Sequence, residues 1–151
     1  RSPKHASRRK AAEERAATIA RSPHGTDLRA LRNCAPLKEE PACILELSDC
    51  SVVTSSIYER CFTDEYGNIH HHIVDPRTGR PSNSDLASAT VVSKRSIDGD
   101  GFSTALLIMG SYWAKNYAEG HPNLEAVLIT RNGQIEATSG IREAMGCRRL
   151  R

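Results

Sequence analysis

The sequence predicts an α+β fold: a mixed or largely antiparallel sheet with one main helix packed on it, preceded by a basic leader that is helical or partly disordered. Three observations carry this. From residue 42 onward, short runs rich in β-branched residues alternate with Gly-, Asp- and Asn-containing turns. One stretch, from Asp98 to Trp113, instead repeats its apolar side chains at helical spacing. The first 41 residues carry charge and helix-forming residues but almost no large apolar side chains, so they have little to bury.

The leader takes in residues 1–41. Residues 1–21 hold Arg1, Lys4, Arg8, Arg9, Lys10, Arg15 and Arg21 against only Glu13 and Glu14, which exceeds the net charge of +3 for the whole chain. Such a tail either attracts anionic surfaces in a salt-dependent way or remains a solvated extension. No aromatic residue is interleaved with these charges, so nucleic acid is not an expected partner. No apolar h-region follows them, and no run approaches the ~20 apolar residues of a membrane-spanning helix.

Residues 42–151 form the second region. Cys43–Leu47 and Ser51–Thr54 are expected strands split by the turn-prone Ser48-Asp49. Tyr58–Phe62 and Ile69–Val74 flank a Gly-containing loop at 64–68 and read as a hairpin. Leu86–Ser93 reads as another strand. Phe102, Ala105, Leu106, Met109 and Trp113 stand at i, i+3, i+4, i+7 and i+11, which predicts one buried helical stripe. Asp98 or Asp100 is placed to cap that helix, and Gly110 to divide it from a shorter helix ending near Glu119-Gly120. Leu124–Thr130 and Gln134–Thr138 flank Arg131-Asn132-Gly133, a hairpin turn by its Asn-Gly pair. The five cysteines contain no C-x-x-C pair and have irregular spacing, so reduced, mostly buried thiols are expected rather than zinc or disulfides.

Two clusters carry residues suited to chemistry. His70-His71-His72 ends a strand and runs into Asp75-Pro76-Arg77-Thr78-Gly79; alternation puts His70 and His72 on one face and His71 on the other. An imidazole that titrates near neutrality can take a proton from a hydroxyl. The same residues also suit a plain loop in which Asp75 accepts local N–H groups and Arg77 and Arg80 face solvent. In the second cluster Asp100 and Thr104 stand at i and i+4, on one face of a helix start. A carboxylate and a hydroxyl are hard oxygen donors suited to Mg²⁺, and a helix N-terminus attracts phosphate. Ordinary helix capping accounts for the same pair. Thr54-Ser55-Ser56, at a strand end, adds hydroxyl donors.

Taken in order, these segments resemble the FAD:protein FMN transferases, the ApbE family, over roughly residues 42–145. Thr54-Ser55-Ser56-Ile57-Tyr58-Glu59-Arg60 is similar to that family's Thr-Ser-Gly-x-Tyr-Glu-Arg segment, and His71–Pro81 to its His-His-Ile-Ile-Asp-Pro-x-Thr-Gly-x-Pro segment. Ser88-Ala89-Thr90-Val91 and Gly99-Asp100-Gly101-Phe102-Ser103-Thr104-Ala105 match two further motifs. The resemblance implies Mg²⁺-dependent transfer of FMN from FAD, its substrate, to a Ser or Thr hydroxyl of a target flavoprotein. It implies His72 as the catalytic base, Ser55, Asp75 and Thr78 lining the nucleotide site, and Asp100 and Thr104 as metal ligands; His71 is assigned a structural part. Ser56 replaces the family's Gly, Cys61 stands where an aromatic is common, and Gly99 and Gly101 replace alanines, which loosens the helix start. Nothing in residues 1–41 matches the Gly-Gly-x-Ala-Lys-Gly segment of the family's N-terminal half. The alternative is therefore a truncated, non-catalytic relative that at most binds FAD or acts as an interaction domain.

Overall fold

The computed structural model describes residues 27–32, 41–47, 49–144 and 148–149. The chain runs through β1 (Asp27–Arg32), β2 (Pro41–Leu47), β3 (Ser51–Ser56), β4 (Cys61–Thr63) and β5 (Ile69–His71). It continues through β6 (Val74–Asp75), β7 (Arg80–Pro81), β8 (Leu86–Ser93), α1 (Ser96–Met109) and α2 (Ser111–Gly120). It ends with β9 (Leu124–Thr130), β10 (Ile135–Ala137), α3 (Ser139–Ala144) and β11 (Arg148–Arg149).

The main sheet has the order β10-β9-β8-β3, and every pair in it is antiparallel. Its two central strands are buried along their whole length. Their side chains alternate between two cores. Leu86, Ala89 and Val91 of β8 and Leu124, Ala126 and Leu128 of β9 meet Leu106, Leu107, Ala114 and Ala118 of the helices. Val92 and Val127 point the other way, toward Leu45, Leu47, Ala137 and Ile141. Covered on both faces, such strands read as unbroken apolar runs, and each fully buried Leu or Val contributes roughly 1.5–3 kcal/mol.

β1, β2 and β11 form a separate antiparallel sheet, with Asp27 opposite Leu47 and Arg148 opposite Ile44. β1 lies inside the stretch that the sequence assigns to the leader, where Leu28, Ala30 and Leu31 offer apolar residues to a strand. Residues 1–26 and 33–40, including the helix expected over 10–20, lie outside the described residues.

Several expectations need correction. The first strand of the expected 58–62/69–74 hairpin starts only at Cys61, and its second breaks at His72-Ile73 before β6. The helical stripe shifts too: α1 buries Gly99, Ser103, Leu106 and Leu107, whereas Met109 is exposed and Trp113 is 66% exposed. The cause is the break at Gly110, which has φ +82° and ends one helical register before Trp113 can join it. Small residues face the sheet because α1 lies close to it; a Cβ on Gly99 would stand 2.8 Å from Val53 Cγ2. Gly99 thus sets that approach rather than loosening the helix. Neither Asp98 nor Asp100 caps α1, whose N-cap is Arg95 with no side-chain cap bond. The carboxylate acting at a helix start is Asp85, which accepts the Ser111 N–H at 2.8 Å and the Ser111 hydroxyl at 2.5 Å, capping α2 from β8's leading edge. Cys61 is an exposed thiol and Cys50 is half-buried, so burial does not describe Cys61.

The Asn-Gly hairpin is as expected. Gly133 takes φ +82°, and its N–H reaches the Thr130 carbonyl at 2.9 Å.

Candidate functional site

Ser55 sits near the end of β3, two residues on from Val53 and so on the same face, opposite Ala89 of β8. That face looks at α1, and the missing side chain at Gly99 brings the helix close enough to touch it. Ser55 Oγ lies 2.8 Å from Ser103 Oγ and 2.9 Å from Thr104 Oγ1. Ser103 Oγ–H donates in turn to the Asp100 carbonyl at 3.2 Å. Asp100 itself is exposed, one helical turn before half-buried Thr104. Ser55 and Thr104 are therefore brought together, and Asp100 joins them only through its backbone carbonyl, by way of Ser103. Ser103 completes the cluster; its place beside Thr104 in the motif was the available signal.

The histidines separate by environment. β4 and β5 pair Cys61 with His71 and Phe62 with His70. His70 stacks on Phe62 with ring centroids 5.0 Å apart, and its Nε2 meets Asp64 Oδ2 at 2.9 Å. The contacts from His70, then Asn68, hold the Asp64 carboxyl far below the usual carboxylate range. His71 is only 8% exposed, with Nε2 3.2 Å from the Ser82 carbonyl and no hydrogen-bond partner for Nδ1 among the described residues. Burial pushes its pKa below the ordinary imidazole value, more than the Ser82 contact raises it. His72 is exposed, with Nδ1 3.4 Å from the Arg60 carbonyl, so its ring is open to an incoming group. Arg60, Phe62 and the three histidines wall a hollow of about 600 Å³. Arg60 and Phe62 are contributors that residue types in sequence did not single out.

Asp75 closes a tight turn. Its carbonyl accepts the N–H of Thr78 at 3.1 Å and of Gly79 at 2.9 Å, Gly79 having φ +66°. Its carboxylate takes the Arg77 guanidinium in a fork, Nη2 at 2.8 Å and Nε at 3.1 Å, and the Arg77 N–H at 2.9 Å. The side-chain and backbone donors of Arg77 hold the Asp75 carboxyl below its usual range. Thr78 Oγ1 faces the Asp75 carbonyl at 3.4 Å and accepts the Arg80 N–H at 3.3 Å. The turn fronts a second hollow of about 420 Å³, whose other walls are Ala105, Ile108, Met109 and Trp113. The hollow lies along the C-terminal half of α1, whereas Ser103 and Thr104 stand near its middle. Among the described residues no hydrogen bond joins His72, Asp75 or Thr78 to Ser55, Asp100 or Thr104. Nor does any group of three or more His, Cys, Asp or Glu side chains converge there as a preformed metal cage.

A sequence model of the ApbE family matches residues 20–128. An FAD:protein FMN transferase of Treponema pallidum (strain Nichols) is 35% identical over 121 residues, which is 80% of this chain and 30% of that protein. One of Klebsiella pneumoniae (strain 342) is 38% identical over 95 residues, 63% of this chain and 30% of that protein. Among solved structures, the Pseudomonas stutzeri flavinyl transferase ApbE, apo form, aligns with a TM-score of 0.62 at 31% identity, over 80% of this chain and 37% of that one. The ApbE protein of Thermotoga maritima aligns with a TM-score of 0.68 at 24% identity, over 79% and 38%, and so shares the fold. The chain thus spans about a third of the length of the relatives it matches. No helix among the described residues is long and apolar enough to cross a membrane.

Proposed function

The chain belongs to the ApbE family, and from that premise we propose that it is an FAD:protein FMN transferase acting with Mg²⁺ on a Ser or Thr hydroxyl of a target flavoprotein. The observation that supports this reading most is that α1 meets two of the motif segments, both far from it in sequence: Ser55 bonded to Thr104, and the Asp75–Arg77 turn across a hollow from Ala105.

In this reading the target hydroxyl attacks the FMN phosphorus of FAD, the pyrophosphate P–O bond breaks and AMP leaves. His72, exposed and held by one contact at Nδ1, has an open edge with which to take the hydroxyl proton. Asp100 and Thr104 fit a hard divalent cation by chemistry, offering an exposed carboxylate and a hydroxyl with room for water and phosphate oxygens. Bound there, Mg²⁺ would neutralise charge building on the pyrophosphate. Asp75 and Thr78 would line the nucleotide site, on a turn held beside the second hollow by the Asp75–Arg77 fork.

Incubation with FAD, Mg²⁺ and a flavoprotein bearing the acceptor should give flavin resistant to denaturation on the target. His72→Ala should abolish it, and Asp100→Ala should lower it at least a hundredfold, the scale of removing a metal's charge from a phosphoryl transfer. No covalent flavin, even when the remaining two thirds of a relative is supplied in trans, ends the proposal.

A further inference from the structure

Counting protons in the hydroxyl cluster gives Ser55 a definite part. A carbonyl oxygen only accepts, so the bond from Ser103 to the Asp100 carbonyl uses the single Ser103 hydroxyl proton. The 2.8 Å contact between Ser103 and Ser55 must then be filled by the Ser55 proton. With that proton committed, Ser55 can only accept at 2.9 Å from Thr104, so the Thr104 proton points at Ser55. All three bonds are satisfied by one arrangement: Thr104 donates to Ser55, Ser55 to Ser103, and Ser103 to the helix backbone. Ser103 is fully buried, which shields the relay from competing water. No other donor among the described residues is aimed at Thr104 Oγ1, so its lone pairs stay free.

We propose that Ser55 is a positioning residue that draws the Thr104 proton inward and so presents the Thr104 oxygen as a ready cation ligand. The assignment rests on the Asp100/Thr104 metal reading above, and it replaces the nucleotide contact expected of Ser55. A hydroxyl whose proton is free to rotate must be reoriented before it can ligate; a relay ending on a fixed backbone carbonyl removes that step. The chain of bonds also ties the ligand to β3, so Thr104 cannot shift without the sheet.

Mn²⁺ is the probe, followed by its paramagnetic resonance signal with the whole chain, with and without FAD. Ser55→Ala should weaken Mn²⁺ binding about tenfold, the lower end of what loss of an outer-shell partner costs a metal site. Ser103→Ala, which strips Ser55 of its acceptor from the far side, should weaken it in the same direction, and Ser55→Thr should restore it. Thermal unfolding of each variant separates this from loss of fold. Unchanged Mn²⁺ affinity in Ser55→Ala, together with weaker FAD binding, overturns the relay and returns Ser55 to the nucleotide. A wild-type chain that takes up no Mn²⁺ with or without FAD removes the metal reading itself, and the relay with it.

Discussion

His71 ends β5 with its side chain buried and its Nε2 on the Ser82 carbonyl, and that burial disfavours its charged form. The unfolded chain takes up this proton near the ordinary value of about 6.5, whereas the folded chain resists it to lower pH. The unfolded state therefore binds more protons between the two values, and stability falls as pH drops below about 6.5. Urea midpoints should fall between pH 7.5 and 5.5, and His71→Gln should flatten that slope; an unchanged slope in the variant would refute the assignment. Asp75 acts lower on the scale. Its carboxyl is depressed by Arg77, so its contribution is present above about 3.9 and is lost as pH falls further. At this scale the sequence was partly legible. Strand alternation separated His71 from His72, but only tertiary packing showed which one is buried. The local turn chemistry of Asp75 followed from its residue type, because an Asp two residues before a free N–H closes such turns. The pairing of Ser55 with Thr104 did not, since no periodicity links residues 49 positions apart.

At the level of elements, the α1–β3 contact decides the site. The spacing of apolar residues correctly gave a helix and its break at Gly110, yet assigned Met109 and Trp113 to the core. The pattern failed because it counts apolar side chains, while this helix meets the sheet through Gly99 and Ser103. Where backbones approach closely, the buried face is marked by small residues. A Cβ at Gly99 would fall 2.8 Å from Val53 Cγ2 and 3.1 Å from its Cβ, both in the body of a β-branched side chain that cannot swing away. Gly99→Ala gains about 1 kcal/mol of helix propensity but incurs roughly 1–3 kcal/mol of overpacking. The expected result is a variant less stable by about 1 kcal/mol, with Mn²⁺ binding reduced as α1 lifts from β3. Val53→Ala in the same chain should restore the binding, because it empties the space the new methyl needs. A stabilised Gly99→Ala with intact binding would show that the contact is looser than described.

Across the whole molecule, the two halves of the candidate site rest on parts of unequal firmness. Ser55, Ser103 and Thr104 belong to β3 and α1, packed on strands buried on both faces by two cores. His72 follows β5, and the Asp75–Gly79 turn joins β6 to β7; both hang on two-stranded ladders two or three residues long and outside the main sheet. That division was not legible in sequence. β3 finds its partner in β8 across four intervening strands, and residue runs reveal strands without revealing which pair. Local opening should follow the division. Amides of β8 and β9 are expected to exchange only on global unfolding, while those of residues 61–81 exchange through much smaller openings. If His72 and the turn close on the same nucleotide that meets Thr104, adding FAD and Mg²⁺ must slow exchange in 61–81 selectively. At a hundredfold excess over the dissociation constant, the linkage amounts to about 2.7 kcal/mol, roughly a hundredfold in exchange rate. Protection confined to β3 and α1 would mean that the histidine half does not engage the bound nucleotide, and His72 could not then serve as the base.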